Sequence, residues 1–120
     1  MGKTILYIED NLDNRILVKR VLEVEGYHVI EAETGLKGLS EAKANTIDLV
    51  LIDINLPDID GYEVTRRLRQ MPQTATVPII AMTANVMKGD REKTLEAGCN
   101  NYIRKPIDID QLPQQVAEYV

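Results

Sequence analysis

Five times along this chain a short apolar run is followed by an amphipathic stretch, and that alternation constrains the fold more than any other feature. The runs are Thr4 to Ile8, Tyr27 to Glu31, Leu49 to Ile52, Val77 to Met82 and Tyr102 to Arg104. The third is apolar on both faces, as a central strand of a covered parallel sheet must be. Between the runs the spacing turns helical. Leu17, Val21 and Val24 fall on one helix face, and Gly26 stops that helix. Leu36, Leu39 and Ala42 mark a second helix. Asp60, with Glu63 three residues on, reads as a capping box that opens a third through Val64 and Leu68. A fourth is expected from about Val86 to Ala97, closed by Gly98. The last runs from Asp110 to Val120, where Pro113 is tolerable only in the first turn. Alternating units of this kind predict an α/β fold, with parallel strands, right-handed crossovers and helices on both faces.

At 120 residues the chain suits one domain, residues 1–120. Its 44% hydrophobic content is too high for a disordered chain, and without Phe or Trp the core must be aliphatic. A net charge of -5 argues against direct nucleic-acid binding. Arg66, Arg67 and Arg69 are expected to be a solvated basic face. Cys99 is the only cysteine, so it has no disulfide partner within the chain and reads as a buried or half-buried thiol. No apolar run approaches the roughly 18 residues of a membrane span, and Met1-Gly2-Lys3-Thr4 does not open a signal peptide. The expectation is a soluble, cytoplasmic protein with no membrane partner.

In open α/β sheets, ligands bind outside the carboxyl ends of the strands. Here those ends are polar: Glu9-Asp10, Asp53, Thr83 and Lys105-Pro106. Clustered carboxylates repel, so they share protons or recruit a cation. With oxygen donors alone the favoured ion is Mg²⁺. Asp10 and Asp53 are the expected direct ligands, with Glu9 acting through water and a backbone carbonyl near Asn55 completing the set. Asp53 can also be a nucleophile that forms an acyl phosphate. Lys105 would hold one phosphoryl oxygen as a point charge, and the Thr83 hydroxyl another. Ala84 leaves room beside them. Asp13, Asp58 and Asp60 are assigned instead to caps and turns. His28 is expected at a surface or edge, Tyr7, Tyr27, Tyr62 and Tyr119 as packing or rim residues, and Met82 and Met87 as core fillers.

Four motifs in order resemble the receiver domains of bacterial two-component response regulators: Ile8-Glu9-Asp10-Asn11, Leu51 to Pro57 with Asp60-Gly61, Ala81-Met82-Thr83-Ala84, and Tyr102 to Pro106. The resemblance covers essentially the whole chain. It implies a flavodoxin-like fold with strand order 2-1-3-4-5. It also implies that Asp53 accepts phosphate from a histidine kinase or histidine phosphotransfer protein. Glu9 and Asp10 match the family's acidic pair, Thr83 its switch hydroxyl, Lys105 its lysine and Tyr102 its switch aromatic. The face made by helix four, strand five and helix five would then be remodelled for a downstream protein partner. Asn55 and Asn85 occupy positions that tune hydrolysis of the phosphoryl group in this family. The Lys105-Pro106 bond is expected to be cis.

Two other functions could draw on the same residues. A phosphatase of the haloacid dehalogenase type needs a second Asp two residues after its nucleophile as a general acid. Asn55 stands there, and an amide cannot donate and regain that proton. A receiver-like interaction scaffold would not need Glu9, Asp10, Asp53, Thr83 and Lys105 together. The expected product is a signal, so the chain is not classed as an enzyme.

Overall fold

The computed structural model describes residues 2–84 and 88–120. Five strands alternate with five helices in the order β1 (Thr4–Ile8), α1 (Leu12–Val24), β2 (His28–Ala32), α2 (Gly35–Ala44), β3 (Leu49–Asp53), α3 (Gly61–Gln70), β4 (Ile79–Thr83), α4 (Lys88–Ala97), β5 (Asn101–Arg104) and α5 (Leu112–Ala117). All strand pairs are parallel, and the sheet order is β2-β1-β3-β4-β5. This is the flavodoxin-like arrangement that the alternation and the motifs predict. Asn85, Val86 and Met87, to which the sequence assigned a hydrolysis-tuning position, a helix start and a core filler, lie outside the described residues.

The core divides by strand periodicity. Leu6, Ile8, Val50, Ile52, Ile79 and Ala81 meet Leu39 and Ala42 of α2 and Val64 and Leu68 of α3 on one face. Ile5, Tyr7, Leu49, Leu51, Ile80 and Met82 meet Val18 and Leu22 of α1 and Leu112 and Val116 of α5 on the other. Every residue of β3 and β4 is buried, as strands covered on both sides should be. His28 is exposed on the edge strand β2, and Cys99 is buried. Gly26 and Gly98 follow α1 and α4 with φ of 93° and 111°, the left-handed conformation that ends helices.

Four expectations need correction. In α1 the stripe facing the sheet contains Val18 and Leu22, whereas Leu17 and Val24 are 42% and 83% exposed. Both stripes have helical spacing, and the choice follows from the helix start. Asn11 accepts from Asn14 N at 2.9 Å, and this cap turns Asn14, Val18 and Leu22 inward at steps of four. The capping box of α3 forms only half. Asp60 Oδ1 accepts from Glu63 N at 2.9 Å, but the Glu63 carboxylate goes forward to Arg66 and Arg67. The last helix is six residues, Leu112–Ala117, rather than eleven, with Pro113 in its first turn. Finally, Arg69 is not part of a solvated face.

Arg69 leaves the end of α3 and gathers the loops at the amino edge of the sheet. Its guanidinium donates to Gly98 O at 3.0 Å, Thr74 O at 3.0 Å, Val77 O at 2.6 Å and Asn100 Oδ1 at 2.8 Å. The same Asn100 Oδ1 accepts from Ile79 N, so one planar fork ties the entries of β4 and β5 to α3. A guanidinium can reach several acceptors in fixed directions, which a point-charge ammonium cannot. Arg69→Ala is expected to lower stability by about 2 kcal/mol, because part-buried carbonyls lose their donors. Arg69→Lys should recover less than half of that. The check is the urea midpoint at unchanged m-value.

Candidate functional site

The register sets the site. Ile8 pairs with Ile52, so Glu9 and Asp53 are the next step along neighbouring strands. Asp53 in turn pairs with Met82, which places Thr83 one step beyond it on β4. Thr83 pairs with Arg104, and Lys105 N donates to Thr83 O at 2.9 Å. Four strand ends are thereby brought to one edge. Glu9 and Asp53 are almost completely buried, Thr83 is buried, and Asp10 stands exposed at the rim.

Lys105 joins the two buried carboxylates. Its Nζ lies 2.7 Å from Glu9 Oε1 and 3.1 Å from Asp53 Oδ2. The cis Lys105-Pro106 bond expected from the sequence is present at this turn. Asp53 Oδ1 accepts from the backbone N–H of Asn55 at 3.0 Å, so Asn55 sits beside the carboxylate and contributes through its main chain. Its side chain is exposed. Asp58, assigned to the caps and turns, does cap a helix, and the helix is α2. Its two oxygens accept from Gly35 N and Leu36 N, each at 2.8 Å, and pin the β3–α3 loop to the start of α2. Gly61 is required where α3 meets the site, because a Cβ there would lie 2.7 Å from Asp53 O and 2.8 Å from Ile54 Cα.

Three residues at the site escaped the sequence reading. Tyr7 is fully buried and donates toward Glu9 Oε1 at 3.4 Å. Asn14 Nδ2 donates to the same oxygen at 3.1 Å. Arg15 places one guanidinium nitrogen 2.8 Å from Glu9 O and 3.1 Å from Asp10 O. A polar pair in the first turn of a helix that directly follows the acidic pair was the available signal.

Burial raises the pKa of Glu9 above its ordinary value, reinforced by the neighbouring Asp53 carboxylate and opposed by Lys105. Burial and the Glu9 charge likewise push the Tyr7 phenol up. Burial pulls the Lys105 ammonium down, but its bonds to Glu9 and Asp53 outweigh this and leave it raised. The ammonium therefore stays charged through neutral pH. Glu9, Asp10 and Asp53 each offer an oxygen, all within 4.8 Å of one another, and Glu9 Oε2 is buried with no hydrogen-bond partner among the described residues. An all-oxygen set with excess negative charge and an unsatisfied buried oxygen fits a hard divalent cation such as Mg²⁺.

The chain belongs to the response regulator receiver domain family, which it matches over residues 5–117. It is 38% identical, over all 120 of its residues and 98% of the relative, to the polar-differentiation response regulator DivK of Brucella ovis. The receiver domain of a sensor histidine kinase from Pseudomonas aeruginosa, solved with a magnesium ion coordinated in its active-site cleft, is 37% identical with a TM-score of 0.91. That match covers 99% of this chain and 98% of the other. The chemotaxis protein CheY4 of Vibrio cholerae shares the fold at a TM-score of 0.96 over the full length of both chains, with 22% identity.

A raised carboxyl pKa means that the native state binds more protons than the unfolded chain once pH exceeds the ordinary Glu value. Stability therefore falls as pH rises through that window. In the presence of a chelator, Glu9→Gln is expected to stabilise the chain at pH 7, because burial disfavours the charged carboxylate that the amide replaces. The gain should shrink toward pH 4, where Glu9 itself becomes neutral. Thermal melts across that range check both the sign and the window.

Proposed function

We propose that this receiver domain is a phosphorylation switch whose acceptor is Asp53. The observation that carries this reading is the Lys105 ammonium, held within 3.1 Å of the Asp53 carboxylate at the carboxyl edge of the sheet. The donor is a phosphohistidine on a histidine kinase or histidine phosphotransfer protein. An Asp53 oxygen attacks phosphorus, the P–O bond forms, the P–N bond breaks and the imidazole departs. Lys105 keeps its charge beside the incoming oxygens and can pass from the carboxylates to the phosphoryl group. Glu9, Asp10 and Asp53, with the main chain at Asn55, would hold Mg²⁺, as the magnesium-bound Pseudomonas receiver suggests. The chemistry supplied there is neutralisation of charge on the phosphoryl oxygens.

The new charge, about -1.5 to -2, is read through Thr83 and Tyr102. Ala81 pairs with Tyr102 and Thr83 with Arg104, so the hydroxyl and the phenol are diagonal neighbours on one sheet face. Tyr102 is only half-buried against the core on that face. Movement of Thr83 toward the phosphoryl group would draw Tyr102 with it and change the α4-β5-α5 surface offered to a downstream protein. The product is a state for another protein to bind, so the chain acts as a signalling element of the cytoplasm rather than an enzyme with a released product.

Incubation with a small acyl phosphate and Mg²⁺ should add one phosphoryl mass to the native chain. Asp53→Asn and the chelated native chain should show none, and Lys105→Ala should fall at least about tenfold in rate, an effect expected of a removed electrostatic stabiliser. Equal labelling of Asp53→Asn would overturn the reading. Continuous release of phosphate from many phosphomonoesters would point instead to a phosphatase.

A further inference from the structure

The reading of Asp53 and its cation leaves a pair of side chains in the first turn of α1 without a role. Asn14 and Arg15 both reach back to the acidic pair, and they do so in different ways. Arg15 is only 12% exposed and bridges two consecutive main-chain carbonyls, those of Glu9 and Asp10. Its guanidinium lies 3.7 Å from Glu31 of β2, which is also bound by Lys19 at 3.3 Å. Asn14 instead addresses a side chain, donating to Glu9 Oε1.

The distribution of donors on Glu9 is one-sided. Tyr7, Asn14 and Lys105 all converge on Oε1, while the fully buried Oε2 has no hydrogen-bond partner among the described residues. A carboxylate oxygen has about two lone pairs, so Oε1 is saturated. An unengaged carboxylate would rotate to share donors between its oxygens. Holding one oxygen keeps the other unspent beside Asp10 and Asp53. Lys105 is the donor expected to move toward a phosphoryl group, so it is a poor permanent anchor. Asn14, fixed in a capped helix turn, is a permanent one.

We propose that Asn14 and Arg15 form a positioning clamp for the cation site: Asn14 fixes which Glu9 oxygen is left for the ion, and Arg15 fixes the Glu9-Asp10 main chain. This rests on the reading of Glu9, Asp10 and Asp53 as the cation site given above. Neither residue touches the reacting atoms. Partners of this outer layer commonly change metal affinity by about 10- to 100-fold.

Calorimetric titration with Mg²⁺ alone, on the full chain, tests the clamp. Asn14→Ala and Arg15→Ala are each expected to bind Mg²⁺ about tenfold more weakly or worse, and both together should weaken it further. Melts in chelator accompany each titration. Arg15→Lys keeps the stem and the charge but can reach only one carbonyl at a time, so it should fall between native and alanine. That variant carries the test if Arg15→Ala does not fold. Native-like Mg²⁺ affinity in Asn14→Ala and Arg15→Lys overturns the clamp while leaving the Asp53 reading intact. A native chain that binds no Mg²⁺ removes the cation reading and the clamp with it. A loss of affinity that follows the loss of melting temperature in every variant, with no intermediate value for Arg15→Lys, also overturns it.

Discussion

Two buried carboxylates on adjacent strands share one ammonium, and the rest of the site is arranged around that fact. Glu9, just past β1, and Asp53, the last residue of β3, are neighbours across the sheet, so the parallel register forces two buried like charges together. Lys105 offsets part of the repulsion from the far side of the sheet, with Nζ 2.7 and 3.1 Å from the two groups. The compensation is incomplete. Among the described residues one Glu9 oxygen has no hydrogen-bond partner, the Glu9 pKa is raised by burial and its neighbour, and Asp10 adds a third carboxylate at the rim. An all-oxygen site with this uncompensated negative charge suits a hard cation.

The scaffold is built to keep that edge in place. Fully buried β3 and β4 have apolar cover on each side, so they carry Asp53 and Thr83 on the most completely buried strands of the sheet. Gly61 lets α3 begin directly against the Asp53 main chain, and Asp58 ties the intervening loop to α2. At the opposite edge, Arg69 draws the end of α3 and the entries of β4 and β5 together. Of the strands that meet at the site, β4 and β5 are therefore tied at their entries as well. By contrast, half-buried Tyr102 lies on the edge strand β5, where a change of packing costs least.

Much of this was legible because period and position are sequence properties. The alternation gave the sheet, and polar groups after each apolar run marked Glu9, Asp10, Asp53, Thr83 and Lys105 before any geometry was known. What stayed hidden depends on rotation and reach. Leu17 and Val18 belong to two overlapping helical stripes, and only the turn set by Asn11 decides which one meets the sheet. Arg69 looked like its neighbours Arg66 and Arg67, since nothing in a run of arginines says which one points toward Gly98 and Asn100, about 30 residues away in sequence. Tyr7 reads as a packing or rim residue; it is fully buried in the core, and its hydroxyl ends on Glu9. The last helix came out short because an apolar pattern does not show where a chain chooses a turn instead, as it does before Leu112.

The central claim is that position beside Lys105, not acidity in general, selects the nucleophile among three clustered carboxylates. Borohydride reduction of the acyl phosphate, followed by peptide mass mapping, reads the modified residue directly. The account predicts reductive conversion at Asp53, with Glu9 and Asp10 recovered unchanged. Conversion at Asp10 or Glu9, or spread over all three, would contradict it.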